Sequence, residues 1–391
     1  MSSLIPLNSS LHQQMKAWRH TLHSHPETAY EEVRTSAMVA GILRDLGLAV
    51  EVGLGGTGVV ATLQGRLGVG EAIALRADMD ALDVEEMNQF AHCSTVKGKM
   101  HACGHDGHTT MLLGAAAHLA ANPDFYGTLH FIFQPAEENE AGAKAMIDDG
   151  LFERFPVSAV YGMHNWPALP AGQAAVHAGP VMAAFDTFEI EVKGHGCHGA
   201  MPHMGVDPIQ VAAQLVTALQ SIVSRNVDPQ KSAVISVTRI ESGHTFNVIP
   251  ESCHMLGTTR SFDPAVRDLL EQRMGEMVTQ LCAALGCTGI LKYTRRYPAT
   301  INTAADAELC RAVLSEQQGI EQVHWNAPAS MGAEDFAFML ERVPGCYIWM
   351  GNGSSNHSHG LHSPHYDFND DILPLGASFW AGLVYRRLGQ G

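Results

Sequence analysis

Residues 106–134 read D-G-H-T-T-M-L-L-G-A-A-A-H-L-A-A-N-P-D-F-Y-G-T-L-H-F-I-F-Q, and this stretch decides the fold class. Its first part, 106–121, is rich in Ala and Leu and predicts a buried helix. Its last part, 128–134, is a short apolar run that stops before Pro135, which predicts a buried strand. A helix that leads into a buried strand indicates an α/β sheet.

The same alternation continues outward on both sides of this stretch. Further helices are predicted at 11–25, 31–46 and 374–388, and further strands at 58–64, 72–80, 159–163 and 346–350. Ser10 and Gln13 are spaced as a capping box at the start of the first helix. The outer parts of the chain are therefore predicted to form one α/β domain.

The middle of the chain has a different pattern. Residues 185–192 alternate apolar and charged side chains, which is the period of a half-exposed strand. The predicted elements that follow are a helix at 208–227, strands at 232–240 and 252–262, a helix at 264–285 and a strand at 289–296. This βαββαβ order is typical of a ferredoxin-like unit. We expect an inserted lid or dimerisation domain at 182–297, between two parts of a catalytic domain at 1–181 and 298–391.

Composition excludes several classes of protein. The 391 residues are enough for two domains, and the net charge of -16 argues against binding to nucleic acid or anionic membranes. Eight scattered cysteines without a C-x-x-C pair form neither a disulfide framework nor a zinc ribbon. No run of about 18 apolar residues exists, and the first ten residues lack the pattern of a signal peptide. A cytoplasmic location is expected.

The strongest chemical signal is M-H-A-C-G-H-D-G-H at 100–108. The thiolate of Cys103 and the imidazole of His105 bind borderline transition metals, but these two residues cannot close a metal site alone. A lone cysteine is more often a buried apolar residue than a ligand, so the interpretation depends on partners elsewhere in the chain.

Three other places offer such partners. Glu137 and Glu138 follow the apolar run F-I-F-Q-P-A, His164 follows A-V-Y-G-M, and G-L-H-S-P-H occupies 360–365. Open α/β sheets gather active-site groups just past the carboxyl ends of their strands, where the first two places are predicted to lie. A Glu pair is often only a solvated surface feature, but the apolar run before it favours a buried position.

Nine short motifs in order along nearly the whole chain are similar to those of one known family. They are H-S-H-P-E at 23–27, R-A-D-M-D-A-L at 76–82, M-H-A-C-G-H-D-G-H at 100–108, Q-P-A-E-E at 134–138, G-M-H at 162–164, G-H-G-C-H-G-A-M-P-H at 194–203, N-V-I-P at 247–250, G-A-E-D-F at 332–336 and L-H-S-P at 361–364. Together they resemble the M20 metallopeptidase family, in its amidohydrolase branch of hippurate hydrolases, N-acyl-amino-acid amidohydrolases and auxin-conjugate hydrolases.

The resemblance implies a zinc-peptidase-like catalytic domain with a mixed sheet flanked by helices, and an inserted ferredoxin-like domain. It also implies two divalent metal ions per subunit (manganese, zinc, cobalt or nickel) held by Cys103, His105, Glu138, His164 and His362. Glu137 would be the catalytic base. His198 would enter the partner subunit's active site in a homodimer or dimer-based oligomer and stabilise the developing oxyanion.

Four further residues complete the expected site. Asn247 and Arg260 lie where relatives hold the substrate's carboxylate. Asp78 and Asp106 are expected to hydrogen-bond to the metal ligands without binding metal.

The expected reaction is hydrolysis of an N-acyl amino acid, a small molecule, to a carboxylic acid and an amino acid. A small-peptide hydrolase, either an aminopeptidase or a dipeptidase, is the alternative enzyme. It is less expected, because the peptidase branches have a His-x-Asp metal motif where this chain has Arg76, Ala77 and Asp78. A degenerate relative that binds metal or ligand without turnover is the alternative that is not an enzyme.

Overall fold

A computed structural model describes residues 5–389, except for the side chain of Asn139. Residues 1–4, on which the expectation about a signal peptide partly depends, lie outside the described residues. Within residues 5–389, none of the helices has both the length and the apolar character needed to cross a membrane.

The described residues form two compact units. Unit 1 contains the chain up to Val181, Ile301–Pro328 and the chain from Asp335 onward, and unit 2 contains Met182–Thr300 and Ala329–Glu334. The predicted third range, 298–391, is therefore interrupted, because a six-residue segment within it clusters with the inserted unit.

The helices and strands of the described residues are numbered in chain order. The α-helices are α1 Ser10–His23, α2 Val33–Asp45, α3 His105–Ala121, α4 Glu137–Glu140, α5 Gly142–Asp148, α6 Leu151–Arg154, α7 Pro208–Arg225, α8 Pro264–Ala284, α9 Ala304–Glu316, α10 Ala337–Leu340 and α11 Leu373–Leu388. The strands are β1 Ala49–Leu54, β2 Gly58–Gln64, β3 Ala72–Asp78, β4 Thr128–Gln134, β5 Ala159–Pro170, β6 Gln173–Val176, β7 Gly179–Met182, β8 Ala184–Lys193, β9 Cys197–His198, β10 Ala233–Ser242, β11 Val248–Ile249, β12 Ser252–Ser261, β13 Thr288–Tyr297, β14 Thr300–Asn302, β15 Gln322–Trp325 and β16 Gly345–Gly353.

Unit 1 is built on an eight-stranded mixed sheet in the order β1-β2-β4-β3-β5-β16-β6-β15. β4, β3, β5 and β16 are mutually parallel. The residues of β3, β4 and β16 are almost all buried, and so are the first seven residues of β5, as the continuous apolar runs predicted. In the register of β3 and β4, Asp78 lies opposite Gln134. The carboxyl ends of these strands therefore meet at one edge of the sheet, as the α/β prediction required.

Three local predictions differ from the structure. Ser9, not Ser10, caps α1, since its side chain accepts a hydrogen bond from the amide of His12. β5 does not end at Met163 but continues to Pro170, because β16 pairs with it as far as Gly353. Strand β1 was not predicted at all; most of its residues are not buried, so it lacks the apolar run that marks the central strands.

The core of unit 1 surrounds α3. This helix packs against α1, α11 and β3, and nearly every residue of its first three turns is buried. Because it is apolar on all sides, it has no single amphipathic face. The burial fixes the first turn of α3, which carries the H-D-G-H segment, against the sheet edge.

Unit 2 has the βαββαβ order of a ferredoxin-like domain, formed by β8, α7, β10, β12, α8 and β13. Its sheet has the order β10-β12-β8-β13, and all neighbouring strands are antiparallel. Both helices begin with an Asp-Pro pair, in which Asp207 or Asp263 caps the helix and proline occupies its first position.

Candidate metal centre

The five predicted metal ligands lie together in unit 1. The ligand atoms of Cys103, His105 and His164 lie within 4.8 Å of one another, and so do those of Cys103, Glu138 and His362. Cys103 Sγ lies 3.4 Å from His164 Nε2, and His362 Nε2 lies 3.3 Å from Glu138 Oε1. The two groups share Cys103, so its thiolate would be a ligand in either group.

Hydrogen bonds orient two of the imidazoles for metal binding. Nδ1 of His164 lies 2.6 Å from the carbonyl oxygen of Asn165, and Nδ1 of His105 lies 3.1 Å from Oδ1 of Asp80. A ring nitrogen that faces an oxygen acceptor carries the proton, so Nε2 of each ring keeps the lone pair that a metal needs.

The donor set also fits a cation electrostatically. Nε2 of His105 is buried and has no hydrogen-bond partner among the described residues. Burial, together with the carboxylates of Glu138 and Glu137, holds the pKa of the Cys103 thiol well above its usual range. A divalent cation would satisfy the imidazole and stabilise the thiolate. Mixed sulfur, nitrogen and oxygen ligands suit zinc, manganese, cobalt or nickel.

Backbone conformation places two of the ligand segments. Gly104, which separates Cys103 from α3, has φ 95°, and a side chain there would meet the amide of Asn165 and the hydroxyl of Tyr366. His362 has φ 64°, which is rare for a residue other than glycine, and its backbone N–H donates to Ala102 O at 2.8 Å. Strained residues of this kind cluster at functional sites.

Glu137 lies beside the candidate ligands and is only 6% exposed. One of its carboxylate oxygens lies within 4.8 Å of ligand atoms of His105 and Glu138. The backbone N–H of Glu138 donates to Oδ2 of Asp80 at 3.0 Å. The Glu pair is therefore not a solvated surface feature, because the turn after β4 holds both residues at the sheet edge.

The two supporting aspartates contact other residues than the sequence suggests. Asp78 Oδ1 lies 2.6 Å from His108 Nδ1, whereas its nearest approach to His105 Nε2 is 3.9 Å. Asp80 holds His105 instead. Sequence reasoning missed Asp80, although it lies inside the quoted R-A-D-M-D-A-L motif.

Asp106 contacts α1 rather than a metal ligand. Its Oδ2 lies 2.9 Å from His23 Nδ1 and 3.2 Å from Arg19 Nη1, and all three residues are buried. Burial alone would lower the pKa of His23, but the hydrogen bond and charge of Asp106, with a further contact to Glu86, raise it to about 9. Asp106 thus anchors the first turn of α3 to α1.

Asn165 and Tyr366 are two further residues that the sequence analysis missed. Asn165 Nδ2 donates to the carbonyl of Cys103 at 2.7 Å, and its backbone N–H donates to His108 Nε2 at 2.9 Å. The hydroxyl of buried Tyr366 donates to Asn165 Oδ1 at 2.6 Å. Asn165 directly follows the G-M-H motif, so its position in the sequence could have indicated a role at the site. Tyr366 lies outside the quoted motifs, and no sequence pattern indicated it.

Arg76 occupies the place of the histidine in the His-x-Asp motif of the peptidase branches. It is fully buried, and its guanidinium donates to Gln134 Oε1 at 2.8 Å, Asp78 Oδ2 at 2.7 Å and Asp335 Oδ1 at 3.1 Å. A guanidinium stays protonated and cannot ligate a metal. Arg76 is therefore excluded as a metal ligand.

The three remaining predicted site residues belong to unit 2. His198 and Asn247 are exposed, and β9 pairs His198 with Val248, the residue after Asn247. Arg260 is half-buried near the end of β12, where its guanidinium lies 4.4 Å from the centre of the Phe185 ring and donates through Nε to Met331 O at 3.1 Å.

A model of the peptidase family M20/M25/M40 matches residues 74–386. The chain belongs to this family. The matched region includes every predicted metal ligand and the whole of unit 2.

Three known proteins are similar to this chain over nearly its full length. It is 41% identical to the N-acetyl-L-cysteine deacetylase of Bacillus subtilis (strain 168), over 98% of this chain and 90% of the relative. It is 39% identical to the hippurate hydrolase of Campylobacter jejuni, over 99% of this chain and 100% of the relative. A crystal structure of the Bacillus subtilis YXEP protein, described as a dinuclear metal binding peptidase from the M20 family, matches with TM-score 0.86 and 34% identity over 98% and 99%.

Proposed function

We propose that this M20 protein is a metal-dependent amidohydrolase that cleaves the amide bond of N-acyl amino acids to a carboxylic acid and an amino acid. The observation that carries the proposal is the grouping of Cys103, His105, Glu138, His164 and His362 beside the buried Glu137. The relatives that are N-acyl-amino-acid hydrolases, at 39% and 41% identity, support the same reaction class.

The metal content would be two divalent ions per subunit, one for each of the two ligand groups that share Cys103. When bound, the ions supply Lewis-acid chemistry, which polarises the amide carbonyl and lowers the pKa of the attacking water. The relative described as a dinuclear metal binding peptidase supports this stoichiometry.

Glu137 would perform the proton transfers of the reaction. Its carboxylate takes a proton from water as the oxygen–carbon bond forms, and gives it to the nitrogen as the carbon–nitrogen bond breaks. Asp80 assists by holding both the His105 ring and the backbone of Glu138. The backbone of this turn therefore cannot move independently of the His105 ligand.

The carboxylate of the amino-acid product would be recognised from unit 2 by Asn247 and Arg260. Within unit 2, Nε of Arg260 donates to Met331 O and Nη1 donates to Thr258 Oγ1 and Thr259 O, so Nη2 is the group that would donate a charge-assisted hydrogen bond to the carboxylate. The stacking of Arg260 on Phe185 fixes the plane of that guanidinium and leaves less side-chain entropy to lose on binding.

We also propose a homodimer in which His198 completes the active site of the partner subunit and donates to the developing oxyanion. β10 is an edge strand of the unit 2 sheet, with one side unpaired within the described chain. Ile240 and Val248, which are 52% and 50% exposed, border a groove of about 870 Å³, and nearby Phe246 is 100% exposed. Exposed apolar side chains next to an unpaired edge are typical of a subunit interface.

A cytoplasmic location is the expected setting of the enzyme. All eight cysteines are free, and five of them, apart from Cys103, are buried. Free thiols persist in reducing compartments. Cell fractionation tests this location: the protein should be recovered in the cytoplasmic fraction, and recovery in another fraction would contradict the proposal.

Metal analysis and a substrate panel test the proposal. The purified protein should contain close to two divalent ions per chain and should hydrolyse N-acetyl or N-benzoyl amino acids. Free dipeptides and tripeptides serve as the contrasting substrates. Faster turnover of the peptides would favour the small-peptide hydrolase, and no turnover of either class by the metal-loaded protein would favour a binding protein.

A further inference from the structure

The residue before the proposed base has an unusual backbone. Ala136 has φ 53° and ψ 43°, the left-handed region, although it is not a glycine. A side chain in this region comes too close to the following carbonyl, so the conformation costs free energy and needs support from its surroundings. Because Ala136 immediately precedes Glu137, its conformation sets the direction in which the Glu137 side chain leaves the chain.

Glu32 supplies that support from the start of α2. Its Oε1 accepts a hydrogen bond from the backbone N–H of Ala136 at 2.9 Å, and its Oε2 accepts one from Thr57 Oγ1 at 2.7 Å. On the other side, the carbonyl of Ala136 accepts a hydrogen bond from the N–H of Gly142 at 2.9 Å. Hydrogen bonds therefore fix the peptide groups on both sides of Ala136.

The burial of Glu32 is itself unusual. The residue has no exposed surface, and no basic side chain is among the hydrogen-bond partners described for its carboxylate. Burying a carboxylate without an ion pair is costly, so a neutral residue of similar size would serve better if Glu32 only filled space. The carboxylate of Glu32 instead accepts two hydrogen bonds, which fix the position of the Ala136 backbone relative to Thr57.

We propose that Glu32 is a positioning residue: it holds Ala136 in the left-handed conformation and thereby aims the carboxylate of Glu137 at the attacking water. This inference rests on the proposed role of Glu137 as the base. Glu32 does not touch substrate; its effect on the reaction passes through the backbone of Ala136.

The principal test is Glu32→Ala with Glu31→Ala as the matched control. Glu31 is the preceding residue, is exposed and bonds to Lys99 and Thr28. Glu32→Ala should lower kcat on the order of 10–100-fold, because a misplaced base loses most of its contribution, whereas KM and metal content stay within twofold. Glu31→Ala should leave all three unchanged. A Glu32→Ala enzyme with kcat within twofold of the native value would overturn the inference.

A second pair of variants separates positioning from general support of the fold. Glu32→Ala is introduced into Glu137→Gln, and the residual rate is measured at high enzyme concentration. If Glu32 acts through the Glu137 carboxylate, its removal should change this residual rate less than twofold. An equal fold-loss in both backgrounds would show that Glu32 only supports the fold, and would overturn the proposal.

Glu32→Gln provides the conservative variant. Its amide oxygen can still accept the hydrogen bond of Ala136, so it should keep most of kcat where Glu32→Ala does not. If Glu32→Ala does not fold, Glu32→Asp, which is one methylene shorter, replaces it in both backgrounds. A Glu137→Gln enzyme with native turnover would overturn the proposed base itself; an inactive Glu137→Gln beside a fully active Glu32→Ala would overturn only the positioning role.

Discussion

At the scale of single residues, the chemistry of the centre depends on which atoms are left without protein partners. His105 and His164 each use Nδ1 for an oxygen acceptor, so that Nε2 faces the other ligands. Cys103 lies in both groups of candidate ligands, and burial beside the carboxylates of Glu138 and Glu137 raises the pKa of its thiol, an effect that a bound cation would oppose. Metal binding and deprotonation of the Cys103 thiol would therefore be coupled.

Glu137→Gln tests the proposed base. The amide has nearly the same size but cannot take a proton, so kcat should fall by roughly 10²–10⁴-fold while two metal ions remain bound. Steady-state kinetics and metal analysis measure both quantities. Glu140→Gln, an exposed glutamate in the same turn, is the control and should keep its activity. Turnover near the native value in Glu137→Gln would remove Glu137 from the mechanism.

Arg260→Ala tests the recognition of the substrate's carboxylate. The variant should raise KM for N-acyl amino acids by about 10–100-fold, the equivalent of roughly 1.5–3 kcal/mol for a charged hydrogen bond. The matching N-acyl amino-acid amides carry no carboxylate and should be affected much less. Equal losses on the acids and the amides would mean that Arg260 does not bind the carboxylate.

The raised pKa of His23 should make the free energy of unfolding of the metal-free protein depend on pH. Its pKa is about 9 in the folded chain, above the ordinary value of 6.5, because the contacts with Asp106 and Glu86 outweigh burial. A raised folded pKa stabilises the fold fully below pH 6.5, and this stabilisation is lost as the pH rises through about 9. The contribution is at most about 3 kcal/mol.

Urea denaturation at a series of pH values measures this effect, with metal removed because metal binding itself depends on pH. His23→Gln should lower the free energy of unfolding most at pH 6, and the deficit should shrink as the pH rises from 6.5 to 9 and be nearly gone above pH 9. The control is His25→Gln, because His25 is a half-buried imidazole whose Nδ1 lies 2.9 Å from the backbone carbonyl oxygen of Thr21. A deficit for His23→Gln that is equal at all pH values would contradict the prediction.

At the scale of secondary-structure elements, α3 determines where the ligand-bearing segment lies. Gly107 lets the first turn of α3 approach the segment before α11, because a side chain at this position would overlap the buried ring of Phe368. Gly41, in the interior of α2, has no neighbouring atom within 4 Å of the same position. Both glycines lie in helices, but only Gly107 is closely surrounded, so the two can be compared by the same substitution.

Gly107→Ala and Gly41→Ala should therefore change stability in opposite directions. The Gly107 variant should lose about 1–3 kcal/mol of unfolding free energy, since an aromatic ring in a packed core cannot move aside freely. The Gly41 variant should gain up to about 1 kcal/mol, because alanine is the better helix former. Thermal or urea denaturation of both variants checks the signs. Equal stabilisation in the two would show that the first turn of α3 is not tightly packed.

At the scale of the whole molecule, the proposed homodimer predicts complementation between two inactive variants. A mixed dimer of His198→Ala and Glu137→Gln has one active site with both changes and one with neither, if His198 acts across the interface. Mixing the two should restore up to a quarter of native activity for random subunit exchange, since half of the dimers are mixed and each has one intact site.

Subunit exchange must be followed alongside activity, for example with two differently tagged chains. Each variant mixed with native protein is the control for non-specific stabilisation. If mixed dimers form and activity does not return, His198 acts within its own subunit or has no role in the chemistry.

The sequence by itself determined the central strands, most of the long helices and, through its resemblance to a known family, the set of candidate metal ligands, but helix α9 was not predicted. Strands β2 and β4 have the predicted bounds, because their apolar runs are bounded by polar residues, glycine or proline. Ligand chemistry was equally local, since Cys103 and His105 lie two residues apart and the Glu pair follows a buried strand. These properties depend on neighbours along the chain, which is why a sequence can specify them.

Only the tertiary structure decided which polar groups serve the ligands. Asp78 and Asp80 are equivalent in the sequence, but the end of β3 lies so that Asp80 meets His105 and Asp78 meets His108. Tyr366, some 200 residues from Asn165 in the chain, bonds to it across the core. Ala136 carries no glycine-like signal, and its left-handed backbone exists because distant Glu32 accepts its N–H. Contacts between residues far apart in the chain arise from the packing of whole elements, and local patterns carry no information about them.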